Sequence, residues 1–207
     1  MLPHVFRERR DTLQSDVWLK DVAFERGKTY LVEAMSGTGK SSLCAYLIGY
    51  RTDFDGHLFF DGEDISTFSS KRWTNIRVGT LSHLFQELRL FPELTALENV
   101  EIKNRLTHHK PARWIEEAFE RLGIAEKLHA EVGRMSFGQQ QRVAFIRALA
   151  QPADFLLLDE PVSHLDDANS QIMAEILSEE VKESGAGVLV TSIGKDLPIP
   201  YDHTLHL

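Results

Sequence analysis

The sequence predicts an α/β fold with a mainly parallel sheet, and three observations carry that expectation. Short apolar runs of strand length alternate with stretches of helical periodicity. The run DFLLLDE at 154–160 is apolar until it meets two acids, the pattern of a strand covered on both faces. Finally, GKTYLVEA at 27–34 reads as a turn into a strand and leads directly into MSGTGKSS, a loop rich in small residues that opens a helix.

Element by element, VWLKDVAF (17–24) reads as a strand and TYLVEA (29–34) as a second. SSLCAYLIGY (41–50) carries Leu43, Leu47 and Tyr50 at helical spacing. HLFF (57–60) is a short strand before the turn DGED, and TLSHLF (80–85) a further strand. Residues 93–134 read as mainly helical, with Pro111 at one helix start. GQQQRVAFIRALA (138–150) is a helix, ANSQIMAEILSEEVKES (168–184) another, and GVLVTS (187–192) a last core strand. The middle helical block is expected as an insertion in the sheet core.

The chain of 207 residues has room for one core. Its net charge of −8 disfavours general nucleic-acid binding, which rests on Lys and Arg against phosphates. The basic runs RERR (7–10) and KNRLTHHKPAR (103–113) read as solvated faces. Cys44 is the only cysteine, so no internal disulfide forms and nothing indicates an oxidising compartment. The opening MLPHVFRERR lacks the apolar core of a signal peptide, and no run approaches the ~20 apolar residues of a membrane span. A cytoplasmic chain is expected, reaching a membrane only through a partner. His108 and His109 have no carboxylate or cysteine at ligand spacing and read as surface residues.

The loop Ala34-Met35-Ser36-Gly37-Thr38-Gly39-Lys40-Ser41-Ser42 approaches the phosphate-loop pattern of Gly, four residues and Gly-Lys-Ser/Thr. Small residues let backbone N–H groups converge on phosphate oxygens, and the following helix adds its positive end. In this pattern Lys40 reaches the β- and γ-phosphates and the Ser41 hydroxyl meets Mg²⁺. Ala34 replaces the first glycine. Its Cβ is costly, about 1–2 kcal/mol, only where the backbone must be left-handed. Ligands of open α/β sheets bind at the carboxyl ends of strands, which places Asp159 and Glu160 near this loop if their strands are neighbours. Asp159 would then help hold Mg²⁺, and Glu160 would polarise the water that attacks the γ-phosphate.

Between these motifs lies MSFGQQQRVAFIRAL (135–149), which resembles the signature of the ATP-binding cassette (ABC) ATPases, Leu-Ser-Gly-Gly-Gln and its helix. FQELRLFPELTALENV (85–100) resembles that family's glutamine loop and SHLD (163–166) its D-loop, all in the family's order. The resemblance implies a P-loop cassette: a mainly parallel core flanked by helices, an inserted helical subdomain and an N-terminal antiparallel β portion. It implies residues 1–86 and 139–207 as the nucleotide-binding core and 87–138 as the insertion. It also implies ATP and Mg²⁺ bound between two copies of the chain head to tail. Gln86 would sense the ion and the water; Ser136, Gly138, Gln139 and Asp166 would complete the partner's site. Phe137 departs by replacing the first of two glycines. Ser192 departs too, standing where the family carries its switch histidine, and this implies a catalytic contact that is weaker or runs through a water. The family's adenine-stacking aromatic has three candidates, Phe6, Trp18 and Tyr30, of which Trp18 suits sheet packing better.

One cassette without a membrane span implies the separate ATPase subunit of a transporter, docked on an integral permease through residues near 86–100 and 103–113. LFPELTALENV and the segment around His129 most resemble the branch serving lipoprotein release, macrolide export and cell division. A cytosolic ABC ATPase outside transport and a weakly hydrolysing dimerisation switch are the other readings.

Overall fold

The computed structural model describes residues 1–35 and 37–207; the expectation for Ser36 lies outside them. From the N-terminus, β1 (Leu2–Pro3) leads into a 3-10 helix (His4–Thr12), then β2 (Thr29–Glu33) and α1 (Lys40–Leu47). Short strands β3 (Phe54–Asp55), β4 (Phe59–Phe60) and β5 (Glu63–Asp64) precede α2 (Ser70–Gly79) and β6 (Leu81–Leu84). Three helices follow: α3 (Ala96–Thr107), α4 (Ala112–Arg121) and α5 (Phe137–Leu149). The chain closes with β7 (Phe155–Asp159), α6 (Asp167–Ser184), β8 (Gly187–Ser192) and β9 (His203–His206).

Five strands form one sheet in the order β6-β7-β8-β2-β9, every neighbouring pair parallel. β7 and β8 lie inside it and are buried almost throughout, which is why both read as unbroken apolar runs. Register pairs Asp159 with Thr191 and Glu33 with Ser192, so three strands end level at one edge. The phosphate loop leaves β2 there, and the acids leave β7 there, because parallel strands turn all their carboxyl ends the same way. Helices α3 and α4 stand between β6 and β7 in the chain, while α5 packs on both α3 and β6.

The helix starts follow local chemistry. Thr95 and Glu98 make a reciprocal capping box on α3, as Ser136 and Gln139 do on α5. Asp166 caps α6 by accepting from the Asn169 N–H, and Gly185 ends α6 in left-handed geometry.

Residues 17–24 form no strand. The Ser15 hydroxyl oxygen accepts from the N–H groups of both Val17 and Trp18, and Leu19 sits at φ 62°, so a tight turn replaces extended pairing. Trp18 is buried instead against the phosphate loop, its indole N–H donating to the Thr38 carbonyl at 3.2 Å. The antiparallel β portion is correspondingly slight, consisting among the described residues of the two-residue ladders β1–β3 and β4–β5.

Candidate functional site

The phosphate loop leaves β2 with Ala34 outside the left-handed region, its N–H donating to the Ser192 carbonyl at 3.2 Å, so the alanine carries no backbone strain. Gly37 (φ 83°) and Gly39 (φ 102°) supply the left-handed turns that the loop needs. A Cβ on Gly39 would stand 2.9 Å from the Phe6 ring and 3.1 Å from the Trp18 ring, so the loop is packed tightly from below. Thr38 is held inside the loop, its hydroxyl donating to the Met35 carbonyl at 2.8 Å.

Lys40 opens α1 and is 6% exposed. Its ammonium lies 3.0 Å from Glu160 Oε1, which itself is almost enclosed and accepts no well-aligned hydrogen bond among the described residues. Glu160 holds φ 52°, a left-handed conformation that a glutamate adopts at a cost of about 1 kcal/mol or more. Surrounding groups fix it there: Glu160 N–H donates to the Thr191 carbonyl, and the Glu160 carbonyl accepts from Gln141 Nε2 at 3.0 Å and from the Ser163 hydroxyl at 3.2 Å.

Asp159 accepts a short hydrogen bond from the Thr191 hydroxyl. Burial pushes its carboxyl above the ordinary value, against the opposing hydrogen bond from Thr191 and the nearby Ser41 hydroxyl. The Ser41 hydroxyl donates to Gln86 Oε1 at 3.2 Å. Hydroxyl, amide oxygen and carboxylate thus converge, an all-oxygen set that suits a hard divalent ion such as Mg²⁺. A carboxylate destabilised by burial is also one that a nearby cation favours.

Lys40, Ser41, Gln86 and Glu160 open on a cleft of about 350 Å³ that is also lined by Ser42, Val5, Phe6, Met35, Arg51 and Ile193, while Asp159 is buried outside its lining. Phe6 is therefore the aromatic at the cleft. Trp18 lies beneath the loop, and Tyr30 is buried in β2 with its ring stacked on His203. Ser192 reaches the end of β8, but its buried hydroxyl donates to the Lys195 carbonyl at 2.9 Å, and the neighbouring Ile193 faces the cleft.

Ser136, Gly138 and Gln139 sit at the N-terminus of α5, and they do not line this cleft. Ser136 and Phe137 are exposed, with the Phe137 ring edge-on to His164 at 4.4 Å between centroids. Asp166, which closes the SHLD segment at the start of α6, is exposed too. His108 and His109 are exposed as well.

Three contributors escaped sequence reasoning. Arg51 lines the cleft, donates to the Ser42 hydroxyl at 2.9 Å and pairs with Asp53; an Arg-Thr-Asp turn carries no motif that marks it. Gln141 was visible only as part of a glutamine run. Arg147 donates to the carbonyls of Leu88 and Arg89, both in left-handed geometry just beyond Gln86. Among the described residues it has no carboxylate partner, and burial lowers its pKa to about 10.

Comparison with known proteins agrees with this geometry. Residues 20–163 match the family model described as ABC transporter. The chain is 31% identical over 172 residues to the ABC transporter ATP-binding protein YtrE of Bacillus subtilis, covering 81% of this chain and 74% of that one. It is 35% identical over 178 residues to the lipoprotein-releasing system ATP-binding protein LolD 2 of Caulobacter vibrioides, covering 83% and 77%. A dimeric post-hydrolysis structure of the ATP-binding cassette MJ0796 with ADP and Pi superposes with a TM-score of 0.74 at 26% identity, over 83% of this chain and 77% of that one.

Proposed function

The chain belongs to the ABC transporter ATP-binding family, and from that premise we propose that two copies bind and hydrolyse Mg-ATP to drive a membrane permease. The observation that carries this reading is the convergence of Lys40, Ser41, Gln86 and Glu160 on one cleft, with the buried Asp159 carboxylate beside Ser41.

Without nucleotide, Lys40 and Glu160 neutralise each other. Phosphate oxygens compete for Lys40 and so free Glu160. The Glu160 carboxylate then accepts a proton from the attacking water. The water oxygen bonds to the γ-phosphorus while the bond to the β–γ bridging oxygen breaks, leaving ADP and phosphate. Ser41, Gln86 and Asp159 would hold Mg²⁺, which supplies charge neutralisation along the phosphates when bound. Gly37, Thr38 and Gly39 give backbone N–H groups, Ser42 and Arg51 extend the polar wall, and Phe6 offers the base a ring. Arg147 and Gln141 on α5 position the glutamine loop and Glu160, so movement of that helix reaches both.

Ser136, Gly138 and Gln139 of one copy would face the γ-phosphate held by the other, with the positive end of α5 behind them. We take residues 1–86 and 139–207 as the nucleotide-binding core and 87–138 as the inserted helical unit, supported by the place of α3 and α4 between β6 and β7. Exposed Phe91, Ile102 and Leu106 lie on or next to the segments 86–100 and 103–113, which suits a permease contact there. No helix among the described residues is long and apolar enough to cross a membrane, so docking on an integral partner would hold the chain at the cytoplasmic face.

The test is to tag the Glu160→Gln form, extract membranes gently with Mg-ATP and identify what co-purifies. An integral membrane protein in equal stoichiometry supports the reading. A soluble partner with nothing from the membrane overturns it in favour of a cytosolic ABC ATPase.

A further inference from the structure

Behind the oxygen-lined cation site lies a second group of ligand-type side chains that hydrolysis does not use. Cys44 stands one turn beyond Ser41 on α1, so the two share a helix face. His83 on β6 is level with Leu157 of β7, and Asp159 lies two residues further along β7, so His83 and Asp159 emerge on the same side of the sheet. Cys44 Sγ, a ring nitrogen of His83 and a carboxylate oxygen of Asp159 all lie within 4.8 Å of one another. Both His83 ring nitrogens are buried with no hydrogen-bond partner among the described residues, although a neutral imidazole carries one donor and one acceptor that burial should leave paired.

We propose that Cys44, His83 and Asp159 form a binding site for a borderline divalent transition metal, best matched by Zn²⁺, and that its occupation draws Asp159 away from the catalytic ion. Sulfur and imidazole select Zn²⁺ over Mg²⁺, which takes oxygen. Bond lengths of about 2.0–2.3 Å give tetrahedral edges of roughly 3.5 Å, so the three atoms close by about 1.3 Å at most. On binding, the Cys44 thiol gives its proton to solvent, and the thiolate and carboxylate together balance the charge of the ion. The inhibitory half of the proposal rests on the role of Asp159 in holding Mg²⁺; the binding half does not.

The test has two readouts. Nucleotide-free wild type is titrated with Co²⁺ as a spectroscopic stand-in, and with Zn²⁺ against a chromophoric indicator, beside Cys44→Ala and His83→Phe. ATPase is measured separately at saturating Mg-ATP with added Zn²⁺ and then a zinc-selective chelator. The expected results are a thiolate-to-cobalt charge-transfer band in the wild type and more than about 10-fold weaker Zn²⁺ binding in each variant. Zn²⁺ inhibition should be reversed by the chelator and absent from both variants. Absence of the band overturns the site even if the variants fail to fold, because it is read on wild type, and metal on surface histidines cannot produce it. Equal Zn²⁺ affinity in folded variants overturns it too. Metal bound through Cys44 and His83 with unchanged ATPase refutes the sharing of Asp159. A chain without any ATPase activity would count against the hydrolysis reading, while the cobalt spectrum still decides the site.

Discussion

Replacing Glu160 by Gln should weaken the empty protein and tighten its grip on nucleotide. The Lys40–Glu160 contact is 3.0 Å long, with side chains only 6% and 11% exposed. At an effective dielectric of about 20, two unit charges at that distance attract by about 5 kcal/mol, most of it offset by the desolvation of both groups. Glutamine keeps an acceptor for Lys40 but not the charge, so a net loss of about 2 kcal/mol is expected in the apo state. For a chain of this size that lowers Tm by roughly 4–8 °C. Phosphates must displace Glu160 from Lys40 in the wild type, and in the variant they need not. The same 2 kcal/mol therefore reappears as roughly 30-fold tighter binding. Thermal unfolding without nucleotide and calorimetric titration with Mg-ADP, which avoids turnover, measure the two effects. An unchanged apo Tm together with unchanged Mg-ADP affinity would refute the idea that Glu160 guards Lys40.

Other perturbations probe the surrounding parts. Phe6→Ala should weaken Mg-ADP binding by about 1 kcal/mol, roughly fivefold, through lost stacking, whereas Tyr30→Phe should leave it unchanged; equal effects in a binding titration would remove Phe6 from the base site. Arg147→Met should cost about 2 kcal/mol of stability, since two glutamine-loop carbonyls lose a charged donor, and should lower kcat more than Mg-ADP affinity; denaturant unfolding and steady-state ATPase check both. His83 titrates at about 3 in the fold against an ordinary histidine value of 6.5, chiefly because burial disfavours its charged form. The unfolded chain therefore takes up the proton first as pH falls through 6.5, and stability is lost between 6.5 and about 3. In chelator-treated protein this amounts to about 2 kcal/mol at pH 5, and His83→Phe should flatten that part of the stability–pH curve.

The sheet core was legible because its signals are local. A fully apolar run ending in Asp159 and Glu160, and small residues before Lys40, state both the strand and its chemistry. Ala34 was also decidable in principle, since only its backbone region mattered, and the structure keeps it out of the left-handed one. What failed was set by distant contacts. VWLKDVAF has strand propensity, but the side chain of Ser15 and the buried seat of Trp18 under Gly39 override it. β9 pairs with β2 from the far end of the chain, and its polar sequence HTLH gives no strand pattern. α2 was missed because SKRWTNIRVG is mostly charged and polar, leaving Ile76 as its single buried residue. At the site, the motif fixed residue types but not where Ser192 points; a hydrogen bond to Lys195 inside its own turn decides that.

The most direct test of the ATP-driven dimer is the mass of Glu160→Gln in solution, by light scattering, with and without Mg-ATP. If two copies close on nucleotide, it is a monomer when empty and a dimer when saturated, and Ser136→Arg at the N-terminus of α5 abolishes the dimer without reducing Mg-ADP binding to the monomer. A monomer at saturating Mg-ATP, or a dimer indifferent to Ser136→Arg, would contradict it.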